Sequence, residues 1–113
     1  MLARIELRQR DGWCVVEAVG ELDLAVAPAL RQVTRDALGA SGGKPSVVVD
    51  LSRVDLLDSV SLGILLGVRR RIAEREGRLR VVVAAPAVER LFLLTDTAAL
   101  FDLVPTLDAA LQP

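Results

Sequence analysis

The segment Asp58-Ser59-Val60-Ser61 holds the residues of this sequence whose types and spacing could do chemistry. A serine hydroxyl at a helix start is a favourable place for a phosphate. The unpaired N–H groups and the positive end of the helix dipole stabilise an anion there. Phosphorylation adds about −1.5 to −2 charges, enough to disrupt an apolar or acidic interface while leaving the fold intact. Asp58 and Ser59 both also suit the N-cap position, since either side-chain oxygen can accept from N–H groups two or three residues on. Asp58 opposes a phosphate on its neighbour by like-charge repulsion, but its carboxylate can also help a kinase orient the hydroxyl.

Other reagents are scarce. The chain has no histidine, so serine triads, zinc sites of the usual kind and phosphohistidine relays lose their commonest participant. Gly39 to Lys44 (GASGGK) is too short for a Walker-type phosphate loop and follows a helix, so it reads as a helix-to-strand loop. The single cysteine, Cys14, lies in Trp13-Cys14-Val15-Val16 and is expected to be an inert thiol in a buried strand. An enzyme is not expected, and neither a cofactor nor a metal is implied. The formal net charge of −1 argues against a nucleic-acid-binding surface. Arg69-Arg70-Arg71 does not change this, because successive helical residues fan out about 100° apart.

The elements that must position the serine follow from periodicity. A chain of 113 residues, 52% hydrophobic, suits a single domain over residues 1–113 with one core and no disulfide. No apolar run approaches the roughly 20 residues that span a bilayer, and no signal-peptide core follows the alternating stretch Met1 to Arg10, so a cytoplasmic protein is expected. Ile5 and Leu7 alternate with charged residues as in a half-buried strand. Asp11-Gly12 then turns the chain into a second strand, Trp13–Val19, which Gly20-Glu21-Leu22-Asp23 breaks. Pro28 opens a helix that Gly39 ends. Ser46–Leu51 reads as a central strand buried on both faces. A second long helix runs from Ser59 to Glu76 and is closed by Gly77. Arg78–Ala85 is another strand, Pro86 opens a third helix, Leu103-Val104 an edge strand, and Thr106 caps a last short helix. The order β-β-α-β-α-β-α implies an α/β fold, with a mixed, mostly parallel sheet of four to five strands and helices packed on it.

On the second helix, Ile64, Leu65, Val68 and Ile72 share the face that packs on the sheet, and Ser61 points the same way. Ser59 falls elsewhere, beside Leu62, Gly63 and Leu66. A hydroxyl among small and apolar residues off the buried stripe marks either packing under a neighbouring helix or a contact surface for a partner.

At this point the residues resemble the STAS domain family, in particular the bacterial anti-sigma factor antagonists. Gly20-Glu21-Leu22-Asp23 is similar to the motif after that family's second strand. Val48-Val49-Asp50-Leu51-Ser52 followed by Leu57-Asp58-Ser59 resembles its central strand and phosphorylation loop. Val88-Glu89-Arg90-Leu91-Phe92 and Val104-Pro105-Thr106-Leu107-Asp108-Ala109-Ala110-Leu111 are similar to its third helix and tail. The resemblance implies a partner switch. The unphosphorylated antagonist binds an anti-sigma factor that is also a serine kinase; phosphorylation of the serine after the motif aspartate releases it; a serine phosphatase resets it. That serine is Ser59, with Ser61 a weaker rival, and the aspartate is Asp58. Asp23 matches the acidic residue of the earlier loop. Together with the helical-wheel neighbours, the expected partner surface is Asp23, Asp58, Ser59, Leu62, Gly63 and Leu66, on a chain expected to be a monomer when free.

The departure comes directly afterwards. The family pattern has a second hydroxyl residue and then a glycine after the serine, whereas Val60 and Ser61 stand here; the serine in the glycine's place is expected to shift the helix slightly. That departure keeps an alternative alive, a STAS module acting by constitutive protein contact without phosphorylation. A phosphoaspartate receiver domain built on Asp50 is a further alternative, but such domains carry a lysine late in the chain, and Lys44 precedes Asp50.

Overall fold

The computed structural model describes residues 3–113; Met1 and Leu2, the first two residues of the expected alternating stretch, lie outside the described residues. Strand β1 (Arg4–Arg10) pairs antiparallel with β2 (Trp13–Leu22). The turn between them needs two residues in the left-handed region, which Asp11 (φ 51°) and Gly12 (φ 84°) supply. Helix α1 (Ala27–Ser41) returns to β3 (Ser46–Leu57), α2 (Ser59–Glu74) to β4 (Arg78–Val83), and α3 (Pro86–Leu94) with a 3₁₀ turn to β5 (Asp102–Val104); α4 (Leu107–Ala110) follows. The sheet order is β1-β2-β3-β4-β5, with every pair after the first parallel. The expected mixed, mostly parallel architecture is thus the one observed.

Alternation along the strands gives the sheet two apolar faces. Cys14, Val16, Val49, Leu51 and Val81 point to one face, where α1, α2 and α3 supply Leu30, Leu65, Ile72, Val88 and Phe92. Trp13, Val15, Val48 and Val82 point to the other, covered by Ala110 and Leu111 of the tail. Cys14 is buried as expected; Gln9 Nε2 and Ser41 Oγ lie 3.1 and 3.2 Å from its sulfur.

Several expected boundaries move, and β4 ends at Val83, short of the expected Ala85. The segment Gly20–Leu22 does not break β2. The strand runs on through irregularities between Glu17 and Val19 and between Gly20 and Glu21, with Gly20 at φ 98°. Its partner β3 likewise continues from Leu51 to Leu57, beyond the last pair with β4, Leu51↔Val83. This extension is a two-stranded ribbon with one open side, so Val54 and Leu57 are buried while Arg53, Asp55 and Leu56 are exposed. That mixed pattern hid the strand from periodicity.

Another correction is Gly39, which lies inside α1 instead of ending it. A glycine costs a helix only about 1 kcal/mol, and the burial of Ala37 and Leu38 beside it holds the last turn. The chain reverses at Gly42 and Gly43 (φ 59° and 38°), and Arg75 grips the helix end by donating to the carbonyls of Leu38 (2.9 Å) and Gly43. The last is Gly77. Helix α2 ends with Glu76 in the left-handed conformation (φ 56°); Glu76 N–H donates to Ala73 and Gly77 N–H to Ile72, the Schellman pattern. Gly77 is needed for space, because a Cβ there would lie 2.3 Å from the Pro45 carbonyl oxygen.

Candidate functional site

Both Asp58 and Ser59 could have capped α2, and the structure assigns the two roles. Asp58 is the N-cap, with extended backbone (φ −90°, ψ 174°), and its Oδ1 accepts from the Ser61 N–H at 2.8 Å. Ser59 is the first helical residue and is exposed. Its hydroxyl is therefore presented to solvent at the end of α2 where amide N–H groups lack helical partners. Ser61 is 0% exposed, and its hydroxyl donates to the Leu22 carbonyl at 3.3 Å. The Asp58 N–H donates to the same carbonyl at 3.1 Å. The start of α2 is thus pinned to the end of β2, and the extra hydroxyl of Ser61 is absorbed by that joint.

Asp23 lies in the turn that follows β2. Its Oδ1 accepts from the Ala25 N–H at 3.0 Å, and its carbonyl from the Val26 N–H at 3.0 Å. This turn starts α1 where Val26, the N-cap residue, offers no side-chain cap. The pairs Glu21↔Leu56 and Leu22↔Leu57 hold the β2–α1 and β3–α2 turns at one end of the sheet. Asp23, Asp58 and Ser59 therefore share that end.

The remaining expected residues separate. Gly63 is exposed and Leu66 half-buried, but Leu62 is only 4% exposed and joins Ser61, Leu65, Val68 and Ile72 in the buried stripe. The stripe is rotated slightly from the expected one: Ile64 moves to its margin and Leu62 turns inward. Leu62 supports the surface from beneath and offers it no side chain. Two residues that periodicity missed expose apolar side chains at this end of the molecule. Leu24 is 68% exposed and Leu56 46% exposed. Leu56 had a signal, because of two adjacent leucines in a strand only one can face the core, and Leu57 does.

The chemistry this arrangement can do is limited. Ser59 has no histidine to deprotonate it, and one oxygen of Asp58 is committed to the helix cap. The hydroxyl can receive a phosphoryl group brought by another enzyme. Among the described residues no three His, Cys, Asp or Glu side chains gather into a metal-holding cluster, and no helix is long and apolar enough to cross a membrane. Asp50, the acceptor a receiver domain would need, is buried in the middle of β3, with its Oδ1 accepting from the Ser52 N–H at 2.9 Å.

Known proteins share both sequence and geometry with this chain. An anti-sigma F factor antagonist of Paenibacillus polymyxa is 29% identical over 108 residues, spanning 96% of this chain and 89% of that protein. The crystal structure of an anti-sigma factor antagonist from Mycobacterium paratuberculosis superposes with a TM-score of 0.87 at 36% identity, covering 97% of this chain and 92% of that one. The phosphorylated form of SpoIIAA, a Bacillus cell fate determinant, shares the fold at a TM-score of 0.70 and 19% identity, over 94% of this chain and 96% of its own. The STAS domain pattern itself matches residues 4–110, the whole sheet with its four helices, and this chain belongs to the STAS domain family.

Proposed function

We propose that this protein is an anti-sigma factor antagonist that binds an anti-sigma factor through the surface around Ser59. In this reading the anti-sigma factor is also a serine kinase; it phosphorylates Ser59 and is thereby released, and a serine phosphatase restores binding. One observation carries the reading. Of the two serines at the start of α2, Ser59 alone is exposed, while Ser61 is buried with its hydroxyl bonded to Leu22. A kinase reaches Ser59 in the folded chain, and reaching Ser61 requires α2 to open. The relatives named as anti-sigma factor antagonists support the same role, as does a phosphorylated form of a protein with this fold.

The surface suits a switch. Leu24 and Leu56 supply exposed apolar area, and Asp23, Asp55 and Asp58 supply negative charge. A phosphate on Ser59 would add more negative charge without entering the core. A misplaced charge at an interface costs several kcal/mol, so Ser59→Asp is expected to weaken the complex by roughly a hundredfold or more with the melting temperature nearly unchanged. Incubation with ATP and the purified anti-sigma factor, followed by mass spectrometry, should place phosphate on Ser59. A complex indifferent to ATP and to Ser59→Asp would instead establish constitutive contact without phosphorylation.

A further inference from the structure

Helices α1 and α2 follow consecutive parallel strands, so they run in the same direction, and between them lies an open groove of about 300 Å³. Among the described residues its charged lining is Arg31 and Arg35 of α1 and Arg71 of α2, with no acidic residue. Among the described residues none of these three guanidinium groups takes part in an ion pair. In a protein of net charge −1 this is a local excess of positive charge.

The floor is equally distinctive. Gly63 and Gly67 line it one turn apart in the middle of α2, and a Cβ at either position would meet nothing within 4 Å. Mid-helix glycines are unfavourable, and among the described residues no neighbour requires them here. They leave room for something outside the fold to come close to the helix backbone.

We infer that this groove receives an acidic helical segment of the anti-sigma factor. The inference rests on the proposed function, and it extends the Ser59 surface along α2. Val60, the residue after Ser59, lines one end of the groove and Arg71 the other, a run of roughly 16 Å at the helical rise. Arg31 and Arg35 stand about 6 Å apart along α1, the axial spacing of carboxylates four residues apart on a facing helix. A small anion is the less natural occupant, because the three arginines stem from positions spread over two helices, four residues apart on α1 and near the C-terminal end of α2. Charge complementarity of this kind speeds encounter and makes binding sensitive to salt.

The test measures affinity for the purified anti-sigma factor at low and high salt. Wild type is compared with Arg31→Gln/Arg35→Gln/Arg71→Gln, with Gly67→Leu and with Ser59→Asp, each checked for folding by thermal melting. The triple variant should bind about tenfold more weakly at low salt and lose most of the salt dependence. Gly67→Leu, which fills the floor, should weaken binding at both salt concentrations. Should either variant fail to fold, Arg35→Gln and Arg71→Gln singly carry the test. Wild-type affinity in the groove variants, with the complex still lost in Ser59→Asp, overturns the groove and leaves the Ser59 reading intact. No complex with the wild-type protein overturns both. Groove variants that lose binding to inorganic tripolyphosphate but hold the anti-sigma factor unchanged make this a small-anion site and also overturn the proposal.

Discussion

At the scale of single residues, two serines two positions apart are in opposite situations. Asp58 causes this by taking the N-cap, which places Ser59 on the outside of the first turn and Ser61 against the Leu22 carbonyl. Losing a capping side chain costs about 1 kcal/mol, and losing a buried neutral hydrogen bond costs about as much. Urea denaturation should therefore show Asp58→Ala and Ser61→Ala each less stable by about 1 kcal/mol. Ser59→Ala should stay within about 0.5 kcal/mol of wild type, as a surface substitution does. The inward turn of Ser61 was legible in the sequence, because Leu65 follows it by four residues. Leu62 was not. The expected stripe centred on Ile64, Leu65, Val68 and Ile72, whereas the buried face of α2 runs from Val68 to Leu62. A wheel gives the order of residues around a helix but not which arc meets the sheet. Leu62 is therefore buried, and Ile64 is left at the groove.

At the scale of elements, the glycines of α2 and the turn after it separate into two kinds. Gly67 has open space where its Cβ would be, so Gly67→Ala should raise stability by about 0.5–1 kcal/mol through helix propensity alone. At Gly77 the same change would drive a methyl into the Pro45 carbonyl and ring, with contacts of 2.3 and 2.7 Å. Backbone and a ring cannot swing aside cheaply, so Gly77→Ala should lower stability by about 1–3 kcal/mol. Opposite shifts of the two melting curves check the pair. Only Gly77 reads in the sequence as a helix stop, and there it is Glu76 that takes the left-handed position ending α2, with the Gly77 N–H completing the cap. The order of strands and helices was legible, because helical spacing marked the helices, alternation marked β1, and short continuous apolar runs marked the buried strands. The far ends of β2 and β3 were not, since a ribbon paired on one side only keeps few buried positions. That ribbon carries the Asp23 turn to the start of α2, so the part of the fold hardest to read is the part that assembles the candidate surface.

At the scale of the molecule, the sheet divides the work between its faces. The face under α1, α2 and α3 holds most of the core, and among the described residues the opposite face is covered by the tail, through Leu107, Ala110 and Leu111, with Val104 beside them. Trp13 is 1% exposed there, with the Arg78 and Arg80 guanidinium groups 4.0 and 4.8 Å from its ring centroid. Arg80 also donates to the carbonyls of Ala110 (2.9 Å) and Gln112 and pairs with Asp102 at 3.4 Å, so one side chain fastens the tail to the sheet. Arg80→Ala removes two charge-assisted bonds to carbonyls and a cation–π contact, and should destabilise the protein by roughly 2–4 kcal/mol. Trp13 is the only tryptophan, so loosening of α4 should appear directly as a shift of its emission to longer wavelength. If the tail serves stability only, the same variant should bind the anti-sigma factor with unchanged affinity at temperatures well below its melting point. A loss of binding comparable to that of Ser59→Asp in a folded Arg80→Ala protein would show that the two faces are coupled, and that the tail belongs to the switch.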